Sequence, residues 1–463
     1  MKMESMSWQE RYNASEIFTL RCRILDKPGM LGRFITEVGN IGAHIGTVNV
    51  VGLDSHHKIR DITVYCSNMK HLDEILAIAR VNEYVEVESV RNDVLQIHNG
   101  GTIKMVSKVP IKNLTDLRML YTPGVASVCE KIRTNNAFAW DLTGIRDRVA
   151  IVTNGTAVLG LGNIGSLASL PVMEGKASIF AEFADISAIP ILINSENIDV
   201  CVETVTHIAD SFGAIQLEDI AAPECFEIEQ QLQEKLDKPV FHDDQHGTST
   251  VVLAAIINAL KRTSRNAYDC DVLILGAGAA GTAIAKMLLK FGVRDVVVYD
   301  STGPLYRGRN KKMNSHKFQL AEISNTKNQT CPLLEGFEGK DIFIGVASAN
   351  LVSKDMVSRM AKNSIVFPLS NPAGEISIDD AMAAGAMVVA NGREINNALA
   401  YPGLFRGALD VRAEDITFDM QVAAADKLAK LAGKESLLPN ILDKQVHKEV
   451  AAAVSEAYMK QRK

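Results

Sequence analysis

Apolar and polar positions follow two rhythms in this chain, and the rhythm changes near residue 110. In residues 16–91, period-two alternation predicts strands at IFTLRCRI, HIGTVNVV, IRDITVYC and YVEVESVR. A 3.6-residue period predicts helices at MLGRFITEVGNIG and HLDEILAIAR. The tight turn DKPG joins the first strand to the first helix. The resulting order, βαββαβ, is the split-βαβ or ferredoxin-like α+β plan. Beyond it, polar residues 93–110 read as a linker. The runs VAIVTN, IPILIN, AIQLED and PVFH are then short and apolar, with helical periodicity between them, which predicts α/β layering. We divide the chain into a lead at 1–15, a small domain at 16–92, a linker at 93–110, an α/β domain at 111–247 and a final α/β domain with C-terminal helices at 248–463.

The stretch KPVFHDDQHGTSTVVL, residues 238–253, is the junction of the two larger domains. Asp243 and Asp244 follow a short buried strand, flanked by His242 and His246. Gly247 interrupts the pattern, and helical spacing resumes after Thr248. An isolated Asp-Asp pair reads as a solvated turn and helix cap. Here, however, AIQLED also ends on two acids, Glu218 and Asp219. Two strands finishing in paired carboxylates predict a hard divalent cation, Mg²⁺ or Mn²⁺, that relieves their mutual repulsion. Lys176 lies among Val172, Met173, Ala177 and Ile179, where burial would lower its pKa towards that of a base. A lone lysine in such a place more often lets its ammonium reach water.

Residues 271–300 read strand, glycine turn, helix, strand, with Gly276, Gly278 and Gly281 spaced G-x-G-x-x-G and Ala279 and Ala280 between them. Asp300 closes the second strand, where a carboxylate binds a ribose 2′-hydroxyl. NAD is therefore expected, with NADP admitted by the nearby Arg307, Arg309, Lys311 and Lys312. A second G-x-G-x-x-G match, Gly160 to Gly165, lacks this context and reads as a close-packed loop. The fold class expected is thus α/β, a Rossmann-type NAD-binding domain plus an α/β catalytic domain, preceded by the ferredoxin-like domain.

The 463 residues are 47% hydrophobic and 22% charged, with net charge −6, as in an ordinary soluble globular protein. The absence of a basic block excludes nucleic acid or an anionic membrane as the main partner. No apolar run reaches the roughly 18 residues of a membrane span. The opening MKMESMSWQERYNASE has no secretory pattern. Seven scattered cysteines without a C-x-x-C pair predict reduced thiols and a cytoplasmic setting.

Taken together, YTPGVA, GTAVLGLG, PVMEGKA, LEDI, FHDDQHGT, GAGAAG, SNP and INNALAYPGLFRGALD resemble the malic enzymes in their short bacterial form, over about residues 111–430. The resemblance implies metal-dependent oxidative decarboxylation of malate to pyruvate with reduction of NAD(P). It implies that Tyr121 is the general acid and Lys176 the general base, with Asp243 as the lysine's partner. Glu218, Asp219 and Asp244 become metal ligands, and Asn371 and Asn397 contact substrate or cofactor. Asn154 and Asn163 stand where the family usually has aspartates, and a loop of the form SDYPNQ is mostly missing between Gly392 and Asn396. LDKPGMLGRF resembles the ACT domain, a regulatory module that often binds an amino acid at an interface. A small effector or simple dimerisation are its two readings, and a homodimer or higher homo-oligomer is expected. Other classes stay open: an amino-acid dehydrogenase, which needs no acid pairs; a malolactic or oxaloacetate-decarboxylating variant; and a non-enzymatic, effector-sensing NAD-binding protein.

Overall fold

The computed structural model describes residues 16–158 and 160–462, so the lead at 1–15 lies outside it, as do Leu159 and Lys463. The described residues form two compact units that divide between Lys104 and Met105.

In the first unit, β1 (Glu16–Leu25), β2 (His44–Leu53), β3 (His57–Cys66) and β4 (Val85–Asn92) form an antiparallel sheet of order β2-β3-β1-β4. Helices Met30–Asn40 and Met69–Val81 supply the βαββαβ order anticipated from the alternation. Alternation sorts β1 as expected: Phe18, Leu20, Cys22 and Ile24 pack with Phe34, Val38 and Ile75. Arg21 and Arg23 bond Asp61 and Asp54 instead. The polar segment after β4 is not wholly irregular, because Asn92 caps a short helix, Asp93–Ile97, by accepting the Leu95 amide at 3.0 Å.

The second unit holds two sheets. β5 (Arg148–Thr153), β6 (Ser187–Leu192), β7 (Ala214–Leu217) and β8 (Val240–His242) run parallel in the order β6-β5-β7-β8. The other is ordered β11-β10-β9-β12-β13-β14, from β9 (Asp271–Leu275), β10 (Asp295–Asp300), β11 (Gly303–Pro304), β12 (Ile342–Gly345), β13 (Ile365–Pro368) and β14 (Val388–Val389). Its strands are parallel except for the β10–β11 hairpin. Helices on both faces explain why the strands read as unbroken apolar runs. Chain order reverses at β9, which lies between β10 and β12, and such a switch point leaves a crevice at the strand ends.

One helix, Asp243–Thr263, follows β8 and packs against the helix Ala279–Phe291 that follows β9. The sequence pattern starts this helix after Thr248, but it begins at Asp243, five residues before Thr248, and runs through Gly247. Two carboxylates in the first turn suit the positive end of a helix. Gly247 is a clearance and not a breaker: a Cβ there would lie 1.8 Å from Asp243 Oδ1. Among the described residues, no helix is long and apolar enough to cross a membrane.

Candidate active site

Parallel strands bring their C-terminal ends together, so the acids that end β7 and follow β8 become neighbours. Glu218, Asp219 and Asp244 each place one carboxylate oxygen within 4.8 Å of the others. The Asp219 amide donates to Asp244 Oδ2 at 3.0 Å, which ties the two strand ends together. Gln216 Nε2 donates to Glu218 Oε2 at 2.6 Å. Glu218 and Asp219 are buried, and burial with three neighbouring acids raises the Glu218 pKa against the pull of Lys176. A convergent, partly buried oxygen donor set suits Mg²⁺ or Mn²⁺.

Lys176 enters from the helix Ser166–Ala184. Its Nζ lies 2.5 Å from Asp243 Oδ2 and 2.8 Å from Glu218 Oε1, and its side chain is 12% exposed. The apolar neighbours read from the sequence account for the stem alone; the ammonium faces carboxylates. Burial by itself would lower the Lys176 pKa, but Asp243 and Glu218 outweigh it and hold the amine charged. Asp243 is fully buried, and burial raises its pKa despite the lysine. Asn397 Nδ2 donates to the same Asp243 Oδ2 at 2.8 Å. The Tyr401 ring lies 4.7 Å from Lys176 Nζ. Asn397 and Tyr401 thus reach the lysine site from a segment more than 150 residues beyond Asp243 in sequence.

Two histidines flank the acids. His242 is buried in β8, with Nδ1 3.8 Å from Asp244 Oδ2 and no hydrogen bond at either ring nitrogen. His246 Nε2 lies 3.0 Å from Glu229 Oε1, and Glu229 also accepts from the His242 amide at 2.7 Å and from Gln245 Nε2 at 3.0 Å. Glu229 therefore anchors the start of the helix from outside the cluster of Glu218, Asp219 and Asp244.

Gly276 follows β9 with φ +120°, and a Cβ on it would lie 2.6 Å from the Val346 carbonyl oxygen. Ala279 and Ala280 open the helix, and a Cβ on Gly281 would lie 1.9 Å from the Gly276 oxygen. Gly278 instead faces open space, with nothing within 4 Å of a Cβ. A helix N-terminus with an uncovered glycine fits a dinucleotide pyrophosphate.

Asp300 ends β10, but its carboxylate is already engaged. Arg309 bonds both oxygens at 2.7 Å, Lys317 Nζ reaches Oδ2 at 2.7 Å, and the Thr302 amide donates to Oδ1 at 2.8 Å. These bonds outweigh burial and hold the carboxyl far below its ordinary pKa. Arg309 is buried, and Arg307 turns instead to Glu322, donating to its backbone oxygen at 2.7 Å. Lys317, from the helix Ser315–Ile323, is the cation that the basic run 307–312 did not suggest.

The remaining candidates scatter. Asn371 follows β13 beside the glycine loop, its backbone oxygen 3.8 Å from a Cβ on Gly160. That loop is not the close-packed one expected: Leu161 is 67% exposed and a Cβ on Gly162 or Gly165 would meet nothing within 4 Å, so the tight approach is made before it, at Gly155, where a Cβ would lie 2.2 Å from the Gly165 oxygen. Asn154 Nδ2 donates to the Ser195 carbonyl at 3.3 Å, and Asn163 Nδ2 to Glu196 Oε1 at 2.9 Å. Between Gly392 and Asn396 the chain makes one turn, in which the Asn391 side chain accepts the Arg393 amide at 3.0 Å. Tyr121 is not brought to Lys176. It caps the helix Leu114–Leu120 and is 67% exposed.

Residues 100–233 match the family model described as malic enzyme, N-terminal domain, and residues 245–460 match malic enzyme, NAD binding domain. A bifunctional malic/malolactic enzyme of Bacillus subtilis is 45% identical over 80% of this chain and 93% of its own. An NAD-dependent malic enzyme of Geobacillus stearothermophilus is 41% identical over 91% of this chain and 90% of its own. Among solved structures, an NAD-dependent malic enzyme of Thermotoga maritima superposes with a TM-score of 0.76 at 39% identity, covering 78% of this chain and 99% of that one.

Proposed function

The chain belongs to the malic enzyme family, and from that premise we propose how its own residues divide the work. The reaction is oxidative decarboxylation of malate to pyruvate and CO₂ with reduction of NAD(P). Malate must lose its C2 hydroxyl proton and a hydride, then CO₂, and the resulting enolate must gain a proton at C3. When bound, a divalent cation at Glu218, Asp219 and Asp244 supplies Lewis-acid stabilisation of oxygen charge, and NAD at Gly276–Gly281 supplies the hydride acceptor.

Lys176 is the base for the hydroxyl proton. As an ammonium it must first give up its own proton, and Asp243 Oδ2 at 2.5 Å is the nearest acceptor. Asn397 holds that oxygen in place through its 2.8 Å bond. The family resemblance assigns the C3 proton to Tyr121, which within this chain stands exposed at the end of Leu114–Leu120 and does not meet Lys176. Asn371 lies on the cofactor side, after β13, and Asp300 with its two cations faces the adenosine ribose. The lysine wedged between two acids, next to a three-carboxylate cluster, is the observation that carries this reading.

The test follows cofactor reduction with malate, with and without Mn²⁺, using NAD and NADP in parallel. Metal-dependent formation of reduced cofactor and pyruvate is expected. Lactate and CO₂ with no net cofactor reduction would instead favour malolactic turnover, the second activity in the name of the Bacillus subtilis relative. Turnover of an amino acid without metal would reject both.

For residues 16–92 we propose regulation by an amino acid or related small metabolite at the Asp26–Leu31 turn. A thermal-shift screen with amino acids, followed by malate kinetics, tests it; no shift and no kinetic effect would leave assembly as the role. A homo-oligomer and a cytoplasmic setting complete the proposal, the latter supported by seven free cysteines.

A further inference from the structure

Outside the lysine site, five helices line a groove of about 330 Å³. They are Glu224–Lys235, the start of Asp243–Thr263, Ala279–Phe291, Ser315–Ile323 and the start of Phe418–Leu431. Lys286 and Lys290 enter it from one face of Ala279–Phe291, four residues apart and so neighbours on the helix surface. They lie roughly 10–16 Å along that helix from its start at Ala279, at about 1.5 Å per residue. The groove is therefore separate from the glycine turn that fits the dinucleotide.

Its charges do not balance. Glu229 is the one acid among the lining residues, and it is already engaged by His246, Gln245 and the His242 amide. Among the described residues neither lysine forms an ion pair; Lys290 rests its Nζ 3.9 Å from the centre of the Phe418 ring. Like charges four residues apart on a helix repel. The protein around Lys286 displaces water and lowers its pKa, which the pull of Glu229 offsets only in part. His316 is buried beside the Phe226 ring, 4.3 Å between centroids, and burial first and Lys286 second push its pKa down. An anion seated among these three side chains would relieve both strains.

The donors also select the anion. No arginine lines the groove, so the planar fork that matches a carboxylate is missing from its wall. Ammonium groups act as point donors and suit the separate oxygens of a tetrahedral phosphate. Ser249, Gln319 and Gln421 add neutral donors to the same wall.

We propose that this groove binds a phosphate group between Lys286, Lys290 and His316. The site is independent of the roles proposed for Lys176 and Tyr121. Gln245 and His246 share its wall, so an occupant borders the helical turn that carries Asp243 and Asp244.

Titration calorimetry tests this on the full chain, saturated with NADH to fill the glycine turn and kept free of divalent metal. Inorganic phosphate, glycerol 3-phosphate and succinate are titrated in turn at constant ionic strength, so that screening is the same for each. One saturable phosphate site per chain is expected, with succinate at least about tenfold weaker for want of an arginine fork. Lys286→Gln should weaken phosphate binding by about 10–150-fold, the worth of one charge-assisted hydrogen bond, and leave Tm and NADH affinity unchanged. Lys290→Gln should act in the same direction and serves as the test if Lys286→Gln melts early. Tighter binding of glycerol 3-phosphate than of phosphate would identify a phosphorylated metabolite as the carrier, and equal affinity would identify free phosphate. No saturable binding of either, wild-type affinity in both variants, or succinate binding as tightly as phosphate would overturn the assignment.

Discussion

The glycine turn after β9 offers a sharp test, because its glycines meet different surroundings. Gly281→Ala puts a methyl 1.9 Å from the Gly276 oxygen and 3.2 Å from Val346 Cγ2. The first neighbour is backbone, so the helix Ala279–Phe291 must move by about 1 Å or more to restore contact distance. Overpacking of this kind costs about 1–3 kcal/mol. At roughly 2–4 °C per kcal/mol for a domain of about 200 residues, the Tm should fall by about 2–12 °C. Gly278→Ala meets nothing within 4 Å. Its fold should be unchanged, but its methyl would occupy the space the pyrophosphate approaches. Loss of one charge-assisted hydrogen bond costs about 1.5–3 kcal/mol, which weakens NADH binding about 10–150-fold. Calorimetric melting of both variants and NADH titration by fluorescence separate the two effects. Unchanged NADH affinity in Gly278→Ala would refute the placement of the pyrophosphate, and an unchanged Tm in Gly281→Ala would refute the packing argument.

Three further outcomes follow from named contacts. Chelation with EDTA should abolish activity and Mn²⁺ should restore it, while Asp219→Asn should lower kcat/KM by about 10²-fold or more, beyond what loss of an outer-shell partner costs; chelator-resistant turnover would refute the cation. Asp300→Asn would release Arg309 and Lys317 towards a 2′-phosphate, so the NADP/NAD ratio of kcat/KM should rise by at least about tenfold, or about 1.4 kcal/mol, and an unchanged ratio would remove Asp300 from the ribose site. Burial opposes both charges of the Glu229–His246 pair, but their mutual attraction outweighs it, lowering the Glu229 pKa and raising that of His246. The glutamate's contribution to stability is present above its unfolded pKa of about 4.3 and fades as pH falls through the depressed folded value; the histidine's is full below about 6.5 and fades as pH rises through the raised one. His246→Gln should therefore flatten the decline of Tm above about pH 6.5, and a parallel decline in both proteins would contradict the pairing.

What the sequence made legible was local. Apolar runs in β5, β7, β9 and β12 are buried on both sides, so each strand could be read without knowing its neighbours. The carboxylate cluster was legible because its oxygens sit at two strand ends, and parallel pairing brings such ends together whatever the rest of the chain does. Asn397 was singled out, but its bond to Asp243 spans 154 positions and no periodicity announces it. Tyr401 was not singled out at all, since an aromatic in an apolar helix looks like core until Lys176 is found above it. Lys317 stayed hidden because it reaches Asp300 from the helix Ser315–Ile323, whereas the eye falls on the basic run before it. Gly247 misled because a glycine in a helix resembles a terminator unless the carboxylate it makes room for is known. Tyr121 was singled out by the family resemblance, yet it stands exposed at the end of Leu114–Leu120, which the residues around it do not announce.

The helix Asp243–Thr263 explains why the two chemistries of this chain are joined as they are. Its first turn carries Asp243, which holds Lys176, and Asp244, which faces Glu218 and Asp219. Its body packs on the helix Ala279–Phe291, whose N-terminus forms the dinucleotide turn. Val251, Val252, Ala255, Ile256 and Ala259 are buried along it. A packed interior does not deform smoothly, so this packing holds the glycine turn and the lysine's carboxylate partner in a fixed relation. Reacting groups misplaced by about 1 Å can lose 10²-fold in rate. Hydride transfer needs the lysine, the substrate carbon and the nicotinamide in register at one moment. A single helix bearing the acids at its start and the cofactor domain on its flank sets that register with few moving parts.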